Sequence, residues 1–393
     1  DELARRIARF HQLVPAVPPD SPLGTPQQLY EAMEANFTDI EARTDNPRDL
    51  QQTKRLRAWS EATFQRWRPL LGERLEHGMV REGHGDLHLG NIVWYQGTIT
   101  VFDCIEFNES FRWIDTANDL AFLIMDLESR GHYGWAFRVL NHYLEYHGDF
   151  EALSLMSLFK AYRAMVRAKV ALLSPAESEA QKDTRNKNYR RYLKLAEHYT
   201  RDPQAWLAVT TGYSASGKSH ISAQLAERFG MIRIRSDVER KRLFGLEPTE
   251  RSDPDRNGDI YTRETTQTTY ARMEKLARNT LKAGYPVIVD SAALKYEERE
   301  LLDNIAKQLG IPSVLISCEA PEAVLRERIR RRTQNSGEVS EATERVLEHQ
   351  LTIAEPLTSS ERNYVLRVRT GRTDSLRRLI QELEQRIGQA SVR

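Results

Sequence analysis

Gly212, Tyr213, Ser214, Ala215, Ser216, Gly217, Lys218 and Ser219 follow one another in this chain of 393 residues. The spelling Gly-x-x-x-x-Gly-Lys-Ser has a chemical reason. Gly212 and Gly217 let the backbone curl so that successive N–H groups, and the N-terminus of a following helix, point at phosphate oxygens. The Lys218 ammonium adds a movable positive charge for β- and γ-phosphates, and the Ser219 hydroxyl can ligate Mg²⁺. The flanks agree with this reading. Trp206 to Thr210 is a short apolar run of strand character. Ile221, Leu225 and Phe229 recur every fourth residue up to Gly230, as in a helix that buries one face and stops at a glycine. All eight loop residues are expected at a nucleotide.

Strands and helices continue to alternate beyond the loop. Met231–Arg235 alternates apolar and basic residues. Tyr270, Met273, Leu276, Ala277, Thr280 and Leu281 mark a helix face closed by Gly284, and Val287–Asp290 is a buried strand. Leu301, Leu302, Ile305 and Leu309 mark another helix, and Ser313–Cys318 another strand. This alternation predicts an α/β unit, a parallel sheet with helices on both faces, whose ligands gather at the C-terminal ends of the strands. Asp290, closing its strand, then reads as a Mg²⁺-side carboxylate, or else as a helix cap at the strand–helix turn. Asp237 reads as the base for an acceptor hydroxyl, with a neighbouring arginine on an anionic acceptor group, or else as an N-cap. Arg326, Arg328, Arg330, Arg331 and Arg332 begin on an amphipathic helix. They read either as a solvated face or as a lid, with Arg326 and Arg328 bringing charge to a nucleotide's phosphates.

These pieces resemble the P-loop small-molecule and polynucleotide kinases, including zeta-toxin-like and AAA_33-type domains. The matching stretches are Gly212–Ser219, Ser236–Arg240, Val287–Asp290 and the arginine-rich helix after Ala320 and Pro321. The tail from Ser340 through Gln350, with Glu355, Pro356 and Leu357, completes a resemblance over roughly 205–385. It implies a kinase that uses ATP and Mg²⁺ and phosphorylates a hydroxyl.

A second constellation lies upstream. His84, Gly85, Asp86, Leu87, His88, Leu89, Gly90 and Asn91 precede the strand-like Ile92–Tyr95, the turn Gln96–Gly97 and Thr98–Phe102, which ends in Asp103. A loop, a hairpin and a carboxylate bring Asp86, Asn91 and Asp103 to one end. Phosphoryl transfer needs that set: a carboxylate at the acceptor hydroxyl, then an amide and a carboxylate holding Mg²⁺. The alternative is a zinc site made by His84, Asp86 and His88. The stretch resembles the aminoglycoside phosphotransferase family. The resemblance implies Asp86 as catalytic base, Asn91 and Asp103 as metal ligands, His84 as support of the loop, and Asp115 and Asp119 as its braces. Cys104, Ile105 and Glu106 depart from that family, which has a glycine soon after the metal aspartate. About 83 residues precede the loop and read as helices (Leu29, Met33 and Phe37, then Phe64, Trp67, Leu71 and Leu75). A mostly helical kinase-like C-lobe with a small β-hairpin is therefore expected, without the strand-rich N-lobe. The opening at Asp1, inside a helical pattern, reads as truncation, and a scaffolding remnant is the alternative. The order of the halves resembles the bifunctional aminoglycoside phosphotransferase/ATP-binding proteins of bacteria.

Two domains are expected, 1–200 and 205–393, divided after the polar stretch 174–188 and the pair Asp202–Pro203. Hydrophobic residues make up 40% and charged residues 29%, as in globular chains, and the net charge of +1 gives no global electrostatic case for nucleic acid. No apolar run is long enough for a membrane span, and no signal peptide opens the chain, so a cytoplasmic protein without membrane partners is expected. Cys104 and Cys318 lie in strand-like runs and read as buried free thiols. The favoured partners are ATP and a small hydroxyl-bearing acceptor. A nucleotide-gated regulatory ATPase and a polynucleotide 5'-hydroxyl kinase are the competing readings.

Overall fold

The structure is a computed structural model that describes residues 1–201, 204–252, 260–333, 339–372 and 374–390. It divides into two units, Asp1–Asp202 and Pro203–Arg393.

The first unit opens with three helices, α1 (Glu2–Leu13), α2 (Pro26–Glu41) and α3 (Pro47–Glu76). Thr25 and Asn46 cap α2 and α3 through their side-chain oxygens, and a proline occupies the first turn of each. The strand β1 (Val80–Glu82), the hairpin β2 (Ile92–Tyr95) and β3 (Thr98–Val101), and β4 (Trp113–Asp115) follow. Then come α4 (Thr116–Ser129), α5 (Tyr133–His147), α6 (Met156–Leu173) and α7 (Glu179–His198). Thirteen of the 14 residues of α4 are buried, so it is the helix around which the others pack. Phe122 and Met125 of α4 join Phe37, Ile40, Leu56, Met165, Tyr189, Tyr192 and Leu193 in one apolar core. The polar stretch 174–188 is only partly a connection. A capping box of Ser178 and Gln181 starts α7 inside it, and the buried stripe begins at Tyr189. The first turns of that helix lie in solvent and need no apolar residues.

Arg74, fully buried, fastens this unit. Its guanidinium reaches both oxygens of Asp115 (2.7 and 2.9 Å) and both of Asp149 (2.9 and 2.7 Å), tying the end of α3 to the start of α4 and to the turn before α6. Asp115 also caps α4 through the Ala117 N–H.

The second unit runs β5 (Leu207–Thr211), α8 (Lys218–Phe229), β6 (Ile232–Arg235), α9 (Ser236–Leu243), α10 (Arg263–Lys282) and β7 (Val287–Asp290). It continues with α11 (Tyr296–Leu309), β8 (Ser313–Glu319), α12 (Glu322–Thr333), α13 (Glu344–Ile353), β9 (Val365–Arg369) and α14 (Ser375–Ala390). The five strands form one parallel sheet in the order β6-β7-β5-β8-β9. Side chains alternate between its faces. Ala208, Ile288 and Ile316 meet Ile221 and Leu225 of α8 and Leu379 and Leu383 of α14 on one face. Leu207, Val209, Val287 and Val289 are buried on the other, where α10 and α11 pack. The expected α/β and α+β architecture is thus present. Among the described residues no helix is long and apolar enough to cross a membrane.

Arg74→Met should cost about 3–5 kcal/mol, because it leaves two buried carboxylates facing each other without their cation. Urea unfolding of the full chain measures this, and a loss below about 1 kcal/mol would contradict it.

Candidate active site

The phosphate loop is built where β5 runs out. Gly212 sits at φ +141°, and a Cβ there would lie 2.4 Å from the Cys318 carbonyl oxygen on β8, so only glycine fits this turn. Thr210 and Thr211 donate their hydroxyls to the carbonyls of Ser291 (2.9 Å) and Ala293 (2.8 Å), which ties the loop to the segment after β7. Gly217, left-handed, caps α8. The Thr370 hydroxyl, just past β9, donates to the Ser216 carbonyl at 2.7 Å. The Lys218 ammonium donates to the carbonyls of Gly212 and Tyr213, at 2.9 and 2.7 Å.

A cavity of about 1290 Å³ opens over this loop. Ser214, Ala215, Gly217, Lys218 and Ser219 line it. Gly212, Tyr213 and Ser216 do not, although the sequence placed them at the nucleotide. Tyr213 packs instead against Leu325, Ile329 and Leu347. Burial next to the loop pushes the Cys318 thiol up to about 12. Cys104, expected to be buried, is exposed, because β3 ends at Val101.

Asp290 is buried and lines the cavity. Its carboxylate accepts from the Ser222 hydroxyl (3.0 Å), one turn along α8 from Ser219, and lies 3.6 Å from Arg235 Nε. It is no helix cap: α11 begins only at Tyr296, capped by Lys295. Asp237 is no N-cap either, since that position belongs to Arg235. It sits half-buried on the cavity wall, in the first turn of α9. Arg240 follows one turn later on the same face. Its Nη1 donates to the Ile260 carbonyl and the Thr266 hydroxyl, and its guanidinium lies 5.1 Å from the Tyr261 ring centre. Glu298, on the same wall, is raised by burial.

The arginine-rich helix α12 divides its charges between two faces. Arg328 donates to the Ala215 carbonyl (3.1 Å) and the Thr370 hydroxyl (3.0 Å), and Arg331 lines the cavity. Arg326, expected at the nucleotide, is held by Glu322, Glu344 and Glu348, and Arg330 by Glu344. Positions 326 and 330 share one helix face, and 328 and 331 share another. The side chain of Arg332 lies outside the described residues. Arg345 and Arg372 also line the cavity and were missed. Arg345 falls within the Ser340–Gln350 stretch, which carried a signal.

In the first unit Asp119 braces the loop of residues 84–91 by accepting the backbone N–H groups of His84 (2.7 Å) and Gly85 (3.0 Å). Burial raises its carboxyl, but His11, Arg163 and the His84 N–H outweigh that and hold it below the usual carboxylate range. Asp115, expected as a second brace, pairs with Arg74 and caps α4 instead. His84 donates from Nε2 to the Phe102 carbonyl (2.9 Å), which fastens the loop to the end of the hairpin. Asn91 donates to the Asp86 carboxylate (3.0 Å) and backbone carbonyl (3.0 Å), and to the Asp103 carbonyl (3.4 Å). Burial raises the Asp86 carboxyl, yet His88, Asn91 and Arg163 bring it below the usual carboxylate range. Asp103 is exposed, with a left-handed φ of 60°. With the His84 ring committed to Phe102, the zinc alternative fails: among the described residues no three His, Cys, Asp or Glu side chains are grouped to hold a metal.

Oxygen donors of this kind suit a hard divalent cation: Asn91 and Asp103 in the first unit, Ser219 and Asp290 in the second.

Two family models match the chain. Residues 1–155 match the phosphotransferase enzyme family APH, and residues 207–357 match the AAA domain AAA_33. Over 331 residues the chain is 27% identical to uncharacterized proteins of Mycobacterium tuberculosis and Mycobacterium bovis, covering 84% of this chain and 66% of each relative. The chain therefore spans about two thirds of the length of these curated relatives. Among solved structures, a gluconokinase from Sinorhizobium meliloti is similar at 21% identity and a TM-score of 0.32, over 47% of this chain and 98% of that one. The Mycobacterium tuberculosis APS kinase CysC, in complex with AMPPNP and APS, is similar at 18% identity and a TM-score of 0.32, over 46% and 99%.

Gly212→Ala should disrupt the loop, since its Cβ would push β5 and β8 apart. We expect a lower melting temperature and at least about a tenfold loss of ATP affinity, each tenfold being about 1.4 kcal/mol. Calorimetry and thermal unfolding check both, and unchanged affinity would contradict the close approach.

Proposed function

The chain carries a phosphotransferase enzyme family domain followed by an AAA_33 P-loop kinase domain, and we propose that its second unit transfers the γ-phosphoryl group of ATP to a hydroxyl of a small anionic acceptor. One observation carries this reading. One cavity is lined both by the phosphate loop and by Asp237 with Arg240. Basic side chains in its lining outnumber acidic ones, which favours a negatively charged acceptor beside the nucleotide.

Asp237 takes the proton of the acceptor hydroxyl as its oxygen bonds to the γ-phosphorus. The bond from that phosphorus to the bridging oxygen breaks, and ADP leaves with the electron pair. Lys218, Arg328 and Arg331 stabilise the charge spread over the transferring group, and Arg240 orients the acceptor's anionic end. Ser219 and Asp290 would hold Mg²⁺, which when bound neutralises phosphate charge. In the first unit, Asp86 as base with Asn91 and Asp103 as metal ligands would make a set of the same chemistry. Among the described residues, however, only helices and the short strand β1 precede this loop, and no glycine-rich strand lobe covers a nucleotide there, so tight ATP binding is assigned to the second unit.

The experiment follows phosphate from labelled ATP into a metabolite extract. Lys218→Ala should abolish ATP binding by the full chain, whereas Asp103→Ala should leave it within about twofold, as for a surface change of less than 0.5 kcal/mol. Micromolar binding that Asp103→Ala removes would instead assign the nucleotide to the first unit. Asp237→Asn should lose transfer to an acceptor by about 100-fold or more while keeping ATP affinity, because a base acts on the hydroxyl and not on the nucleotide. Full transfer by that variant would refute Asp237 as the base. Release of phosphate to water alone would support the regulatory ATPase.

A further inference from the structure

Gln350, on α13, reaches the phosphate loop. Its side-chain carbonyl oxygen accepts the backbone N–H of Ser214 at 2.7 Å, and both residues line the cavity. The transfer described above makes no use of this contact. A backbone N–H can only donate, so the amide must turn its oxygen to Ser214 and its NH₂ away from that bond. The NH₂ offers two donors, and among the described residues it makes no hydrogen bond.

The helix that carries Gln350 is held along its length. At its start, Glu344 pairs with Arg326 and Arg330. One turn before Gln350, Leu347 packs with Leu325 and Ile329 against Tyr213 and Ala215 of the loop. Beyond its end, the Glu355 N–H donates to the Leu294 carbonyl (3.0 Å), and the Glu355 carboxylate accepts the Tyr296 N–H (2.6 Å). Arg299 adds hydrogen bonds to the carbonyls of Glu355 and Pro356. A side chain on a helix pinned at both ends, with its own oxygen fixed, presents its remaining donors in one direction.

We propose that Gln350 reads the γ-phosphate. Its oxygen stays on Ser214 while its NH₂ donates to a terminal phosphate oxygen, so the site distinguishes a nucleoside triphosphate from a diphosphate. This rests on the reading that the second unit binds ATP, and not on which acceptor it uses. A neutral donor beside a loop that already holds Lys218 adds recognition of the terminal oxygens without adding charge. The stretch Thr343–Gln350 then has a function, with Leu347 seating the helix on the loop and Gln350 contacting the ligand.

The test is calorimetric titration of the full chain with Mg-ATP and, separately, Mg-ADP, for the wild type, Gln350→Ala and Gln350→Glu. Gln350→Ala should weaken ATP about tenfold and leave ADP within about twofold, the loss expected of one hydrogen bond to a charged group. Gln350→Glu should weaken ATP further, because a carboxylate keeps the Ser214 bond but repels phosphate. Equal losses for ATP and ADP would overturn the proposal and make Gln350 a clasp that merely holds the loop. Unchanged ATP binding in either variant would overturn it as well. The expected split between ATP and ADP, found in a protein that transfers phosphate to no acceptor, would uphold this inference and reject the transfer reading. No ATP binding by the wild type would reject both.

Discussion

The close approach of the phosphate loop to the Cys318 carbonyl at Gly212 is the constraint on which the second unit depends. The turn passes this near β8 because β5 pairs with β8 on one side and with β7 on the other. That position sets the loop at the strands' C-terminal ends, beside Asp290 from β7 and Thr370 from β9. Ligand crevices form at such a point in open parallel sheets because the chain departs to opposite sides of the first strand. Threonine hydroxyls then secure the loop from both flanks, through Ser291 and Ala293 on one side and Ser216 on the other. The phosphate-binding groups are therefore held by the sheet and not by the loop alone.

The first unit solves a similar problem with one buried carboxylate. Asp119 takes two successive backbone N–H groups of the loop of residues 84–91, and His84 returns a hydrogen bond to the end of the hairpin. An ionised group can be kept in that interior because its hydrogen bonds and the neighbouring cations outweigh desolvation. Arg74 does the corresponding work at the end of α3. Buried charge in this unit is paired throughout these contacts, which is how a mostly helical domain positions a polar loop with little sheet to support it.

The arginine-rich helix α12 shows how a run of like residues is divided by geometry. Five arginines in seven positions cannot all face one ligand on a helix. Arg328 and Arg331 turn to the cavity, while Arg326 and Arg330 hold α13 in place. The second pair supports the first, since α13 carries Arg345 and Gln350 to the same cavity.

Local chemistry was legible in the sequence. The phosphate loop followed from its glycines and lysine, the alternation of strands and helices from periodicity, and the hairpin flanked by Asp86, Asn91 and Asp103 from its spacing. These features depend on neighbours in the chain, whose backbone preferences act over a few residues. Choices between partners far apart in sequence were decided only by tertiary structure. Asp115 went to Arg74, 41 residues away, and not to the loop of residues 84–91. Tyr213 went to the cluster of Leu325, Ile329 and Leu347, and Arg326 to Glu344 and Glu348. Gln350 found Ser214 across 136 residues of chain. Which polar group meets which is settled by the packing of whole elements, because a buried donor or acceptor takes whatever partner the fold brings within reach.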